Sequence, residues 1–265
     1  MFVYGSDSGG SARGYKANSD GTGRSALNTS GNEVSQIAIN RQGTKVAFVV
    51  WTTYKNIYIM NLDGSGLTQL TTDNWDTSSP CFSPDGSKIL FTSYANGTAQ
   101  LWTMNTDGTG QAALTNMPSG AMQGRYSPNG QKIAFTSGGF SDDLYIMNAN
   151  GTGATALAAS ATDDEDQPCF NVDGSKVIFV KTFDDGTGNP VGQIMSIPAG
   201  GGTATRLTSD LRDDREPVVS LDGTTILFTR ATASGREVYR MTLTGTGVTV
   251  VTSESANTVS PSTGN

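Results

Sequence analysis

The sequence contains no histidine. That absence excludes Ser-His-Asp and Cys-His catalysis, and zinc sites built on imidazole. Only two cysteines are present, Cys81 and Cys169. They hold the same place in two non-adjacent copies of a repeat, too far apart to bridge, and read as small buried apolar residues. Positive charge is the scarcer sign, with 17 Lys and Arg against 24 Asp and Glu and a net charge of −7. Nucleic acid and anionic lipid need basic patches, so neither is expected as a main partner. No apolar run approaches the length of a membrane span, and no membrane insertion is expected. The first twenty residues also lack a signal-like layout, which reads as a mature, recombinant or cytosolic chain.

What the chain has in abundance is turn chemistry. Its 33 glycines are scattered among Thr, Ser, Asn and Asp, as tight turns require. Four stretches repeat one theme: PCFSPDGSKILFTS, GRYSPNGQKIAFTS, PCFNVDGSKVIFVK and PVVSLDGTTILFTR. The turn glycines Gly43, Gly86, Gly130, Gly174 and Gly223 are spaced by 43, 44, 44 and 49 residues. A second glycine marker, at 21, 64, 108, 151, 201 and 245, keeps the same register. Each unit reads as four short strands. In the third they are PCFS, SKILFTS, AQLWTMN and QAALT, with Asp-Gly turns inside each hairpin. Four strands in about 43 residues leave no room for helices. An antiparallel four-stranded unit at this period predicts an all-β chain, a six-bladed β-propeller.

The chain ends complete the count. MFVYGSD at the N-terminus matches a second strand whose first strand is missing. The missing strand is supplied by TVSPSTGN at the C-terminus. One domain over residues 1–265 is expected, with one blade shared between 1–30 and 257–265. Closure of this kind removes free sheet edges.

The pattern P-x-F-S-P-D-G-x-x-I-x-F-T-S, then I-Y-I-M-N-x-D-G-x-G and a closing L-T, resembles the TolB-type, WD-like propeller repeat. The best copies are PCFSPDGSKILFTS with LWTMNTDGTGQAALT, and RYSPNGQKIAFTS with LYIMNANGTGATAL. The resemblance covers essentially the whole chain. It departs from the TolB protein in lacking an N-terminal α/β domain and in the loose fifth and sixth copies. It implies a periplasmic or extracellular protein with a protein partner.

In such a propeller the first strand of each blade lines a central channel, and the loop leading into it sits at one rim. Those loops carry recurrent carboxylates. The candidate rim residues are Glu33; Trp75 and Asp76; Asp163, Asp164, Glu165 and Asp166; and Arg212, Asp213, Asp214, Arg215 and Glu216. Converging carboxylates suit a cation or a cationic peptide, with calcium the candidate metal and Asp76, Asp164 and Asp213 its ligands. The competing reading is that each Asp accepts backbone N–H bonds and fixes its loop, while Arg212 and Arg215 neutralise acidic neighbours. Trp51, Tyr54, Tyr94, Phe140, Asp142, Asp143 and a longer loop at 182–193 join the same face. The DSGG loop at 7–10, the SPDG turn at 83–86 and FDDGTGN at 183–189 read as hairpin devices. Together these features point to a non-catalytic scaffold that binds a protein or peptide. Two other readings remain open. One is a carboxylate-based glycoside hydrolase using Asp76, Asp164, Glu165 or Asp213. The other is a structural or assembly module of a surface or extracellular complex.

Overall fold

The computed structural model describes residues 1–6, 13–138, 141–184, 186, 188–233, 235–252 and 258–264. Every regular element among them is a strand, and the strands form six four-stranded antiparallel sheets. No helix is long and apolar enough to cross a membrane. Blades are numbered here in chain order. Blade 3 shows the plan: Thr77–Phe82 lies innermost, followed by Lys88–Ser93, Gln100–Asn105 and Ala112–Ala113 outermost. Each innermost strand touches those of both neighbouring blades, around the full circle.

Blade 1 is closed by both ends of the chain. Its innermost strand is Thr258–Ser262, which pairs antiparallel with Phe2–Ser6. Val3 lies opposite Ser262 and Ser6 opposite Thr258. The shared blade is therefore present.

One aromatic per blade anchors the packing. Tyr4, Phe48, Phe91, Phe135, Phe179 and Phe228 hold the same place in the second strands, and all are essentially sealed from solvent. Each contributes about 1.5–3 kcal/mol by burial. They recur at the period of the turn glycines because both belong to the same hairpin. At the turn itself, Asp85 Oδ1 accepts from Ser83 Oγ at 2.6 Å and Ser87 N at 3.0 Å, and Gly86 takes a φ of +74°. SPDG is a hairpin device in this chain.

The outer strands are shorter than the sequence pattern implies. QAALT pairs only over Ala112–Ala113. Thr115 then turns its side chain inward, and its Oγ1 accepts the Leu101 N–H at 2.9 Å in place of a ladder carbonyl. Thr71, Thr208 and Thr252 do the same for Ile57, Ile194 and Val238. The closing threonine of the repeat is thus a terminator of the sheet.

Candidate functional site: the channel and its acidic rim

The lead-in aspartates are fastened to the preceding blade. Asp76 Oδ1 accepts from Lys55 N at 2.9 Å, Asp164 Oδ1 from Asp142 N at 3.1 Å, and Asp213 Oδ1 from Gly192 N at 2.8 Å. Lys55 and Asp142 begin the third strand next door and Gly192 lies two residues into it, so each carboxylate staples two blades. Gly120 holds the equivalent place before blade 4 and has no side chain to do this. Glu33 is exposed and makes no hydrogen bond among the described residues. The trio Asp76, Asp164 and Asp213 is not gathered around one point. Among the described residues no three of Asp, Glu or Cys form a group able to hold a metal ion.

Blades 5 and 6 concentrate charge of both signs. Lys181 Nζ lies 2.8 Å from Glu165 Oε1 and 3.1 Å from Asp163 Oδ2. Arg215 Nε lies 2.7 Å from Asp213 Oδ1, and Arg236 Nη1 lies 2.6 Å from Asp213 Oδ2. Arg230 grips Asp214 with Nε at 2.6 Å and Nη2 at 2.7 Å, and also reaches Asp210. Arg212 is largely exposed and only 3.9 Å from Asp210. Most of the candidate rim carboxylates are thus neutralised by neighbours.

Burial raises the carboxyls of Glu165 and Asp214, against the pull of Lys181 and Arg230 respectively. Burial also acts on Asp213, but bonds from Arg236 and Gly192 overcome it and hold that carboxyl below its usual range. Asp166 is pushed up to about 7, mainly by burial, with Arg215 opposing at 4.0 Å.

Three neighbouring carboxylates of blades 4 and 5 keep no cation among the described residues. Asp142, Asp143 and Asp164 form no ion pair among the described residues. Burial and the charges of Asp164 and Asp143 raise the Asp142 carboxyl. The aromatic candidates lie on the other side of the same rim. Trp51 is 71% exposed, with Lys55 Nζ 5.5 Å above its ring. Tyr54 and Tyr94 are also exposed, and Trp75 is half-buried. Asp76 joins them, since its carbonyl accepts from Tyr94 N at 3.1 Å while its carboxylate holds Lys55 N. The 182–193 stretch lengthens a hairpin in which Asp184 Oδ1 caps Gly186 N and Gly188 N. Phe140 and the DSGG loop lie outside the described residues.

The channel holds a cavity of ≈ 120 Å³, lined from all six innermost strands. Each of these strands in blades 2–6 carries a bulge. At it sits a non-glycine residue in the left-handed region, namely Gln36, Ser79, Gln123, Gln167 and Glu216. The side chain of one reaches the backbone of the next. Gln36 Oε1 accepts from Ser79 N at 2.9 Å, Gln123 Oε1 from Gln167 N at 2.7 Å, and Gln167 Oε1 from Glu216 N at 2.7 Å.

The sequence profile of the TolB beta propeller domain matches residues 42–142 and 109–264. The chain belongs to the TolB β-propeller domain family.

Solved structures agree on the fold of this TolB-type propeller. TolB from Acinetobacter baumannii superposes with a TM-score of 0.83 at 20% identity, over 98% of this chain and 66% of that one. A chain of a nidogen/laminin complex gives 0.79 at 13% identity, over 98% and 97%. Hydrazine synthase of Kuenenia stuttgartiensis gives 0.78 at 17%, over 98% and 46%. The chain therefore spans about two thirds of the Acinetobacter protein and under half of the synthase chain. No curated protein matches the sequence.

The TolB repeat pattern did not single out Gln36, Gln123 or Gln167. A signal was present, because each directly precedes the Pro position of its copy. Arg125 was missed too. It sits two residues further along the channel wall, at the position filled by Cys81 in blade 3 and Cys169 in blade 5.

Proposed function

We propose that this propeller is a non-catalytic scaffold that holds a protein or peptide partner at the acidic, aromatic rim of its channel, and that the partner presents basic groups. The observation that carries this reading is the adjacent trio Asp142, Asp143 and Asp164, which has no cation among the described residues although the neighbouring carboxylates of blades 5 and 6 are paired. A lysine or arginine brought there offsets like-charge repulsion and partial burial together. Exposed Trp51, Tyr54 and Tyr94 supply the flat apolar contacts that anchor such interfaces. A periplasmic or extracellular setting is part of the same proposal and follows the family resemblance.

The test uses fluorescence polarisation with a labelled eight-residue peptide of alternating Lys and Tyr, and a Glu/Tyr counterpart. The basic peptide binds, and added salt weakens it. Asp143→Asn, which keeps an acceptor for Ser160 N, and Trp51→Ala each reduce affinity about three- to tenfold. Equal binding of the acidic peptide, or indifference to both variants, overturns the proposal.

One observation favours the hydrolase reading. Asp166 is a buried carboxyl raised to about 7 near Asp142, Asp164 and Asp213, as a general acid requires. It lines neither the channel cavity nor a second cavity, bounded by Met117, Ser137, Asp143 and Tyr145, so neither pocket brings a substrate to it. Release of nitrophenol from aryl glycosides, abolished in Asp166→Asn, would reverse the order of the two readings.

A further inference from the structure

The channel is donor-rich inside an acidic protein. Among the described residues only two charged ones line its cavity, Arg125 and Glu216. Glu216 Oε2 accepts from Thr229 Oγ1 at 3.2 Å. Arg125 forms no ion pair among the described residues. The one side-chain hydrogen bond it makes among those residues runs from Nη1 to the Gly124 carbonyl at 2.9 Å. A guanidinium carries five N–H donors, so most of this one's capacity is unspent. Its flanking counterparts on the wall are thiols, and burial pushes Cys169 up to about 12. The Cys169 thiol therefore stays protonated and does not serve as its counter-ion.

The bulge clasps add more donors. A backbone N–H is met by a carbonyl oxygen and not by an NH2 group. The bonds to Ser79, Gln167 and Glu216 therefore fix which way the amides of Gln36, Gln123 and Gln167 are turned. Their Nε2 groups make no hydrogen bond among the described residues, and all three glutamines are among the residues that line the same cavity. Three amide donors and one guanidinium that has no counter-ion among the described residues thus line one space. Its ≈ 120 Å³ is far above the roughly 10–15 Å³ that a single water needs.

We propose that the channel cavity binds a carboxylate, held by Arg125 and steadied by the side-chain NH2 groups of Gln36, Gln123 and Gln167. A planar monoanion matches the guanidinium fork. A tetrahedral dianion matches it poorly, because a single guanidinium must then offset two charges beside Glu216. The carboxylate comes either from a small free acid or from the C-terminus of a peptide entering the channel. This site stands on the channel alone and holds whether or not the rim binds a basic partner.

Calorimetry and side-chain amide NMR on the full chain test it, at ionic strength fixed with sodium chloride. The probes are acetate, N-acetyl-triglycine, its C-terminal amide, and inorganic phosphate. At least one carboxylate is expected to bind and to move the NH2 resonances of the three glutamines, while the amide and phosphate do not. Tighter binding of acetate identifies a small acid as the source, and tighter binding of N-acetyl-triglycine a peptide terminus. Arg125→Gln weakens binding about tenfold or more, as loss of a charge-assisted pair implies. The acid-against-amide comparison needs no variant and stands if that one fails to fold. Equal binding of acid and amide, no binding of either carboxylate, or unchanged affinity in a folded Arg125→Gln overturns the proposal.

Discussion

Asp214 holds Arg230 by two bonds, of 2.6 and 2.7 Å, with both side chains almost wholly inside the protein. At the same two places blade 3 has Thr77 opposite Ser93, and blade 5 has Glu165 opposite Lys181. The propeller therefore folds its blades with or without charge at this position. Blades 5 and 6 carry it for a reason other than blade geometry.

That comparison yields a double-mutant prediction. Removing one partner strands the other, so Asp214→Thr or Arg230→Ser alone is expected to cost about 3–5 kcal/mol. Making both changes, which reproduces the pair of blade 3, is expected to recover most of that loss. Urea unfolding of the four proteins reads the coupling directly. A double variant as unstable as the sum of the singles would mean zero coupling, with Asp214 and Arg230 contributing independently of each other.

The closing strand is the second point of leverage. Deleting residues 257–265 removes the partner of Phe2–Ser6 and leaves blade 1 with an unpaired inner edge. A few ladder bonds at about 0.5–1.5 kcal/mol each are a large part of a total near 5–15 kcal/mol. A sharp fall in melting temperature is expected. An unchanged melting curve would mean the ring does not depend on this clasp.

The architecture was legible because its markers are local. Turn glycines, the Asp or Asn that caps the turn and the buried second-strand aromatic all sit within one hairpin, and they repeat whenever the hairpin does. Closure was legible for the same reason, since MFVYGSD and TVSPSTGN are two halves of one unit. The site was legible only as a composition. Arg215 stands two residues from Asp213, and a local pair is easily read. Arg236 stands 23 residues away, and only the third strand of the same blade brings it to 2.6 Å. That Arg125 has no counter-ion among the described residues is harder still to foresee, because nothing in a sequence marks such a cation. The outer strands were overestimated because Thr115 and its equivalents look like one more strand residue, and their hydroxyls end the sheet.

The lead-in aspartates separate by what else they hold. Asp76 holds Lys55 N and forms no ion pair among the described residues, so Asp76→Asn keeps the acceptor and is expected to change stability by less than about 0.5 kcal/mol. Asp213 also answers Arg215 and Arg236, so Asp213→Asn is expected to cost about 1.5–3 kcal/mol. Thermal unfolding in parallel checks the order. Equal effects would place the whole role of Asp213 in its bond to Gly192.

Asp166 gives a pH signature of definite sign. Its carboxyl ordinarily titrates near 3.8 and is pushed up to about 7 in the folded protein, chiefly by burial, with Asp142, Asp164 and Asp213 acting in the same direction against Arg215. The folded state thus keeps a proton that the unfolded state has released. The contribution of this group is fully present below pH 3.8 and is lost as pH rises through about 7. Asp213 has the opposite sign, since its carboxyl lies below its usual range and its contribution fades in acid. Between pH 4 and 7 the Asp166 effect governs, and Asp166→Asn removes it. The variant is expected to show a flatter stability profile across that window and to gain about 1–3 kcal/mol on the wild type at pH 8 relative to pH 4. Urea midpoints at half-unit pH steps measure this. Parallel profiles would mean that Asp166 ionises without penalty, and that Arg215 outweighs the burial that surrounds it.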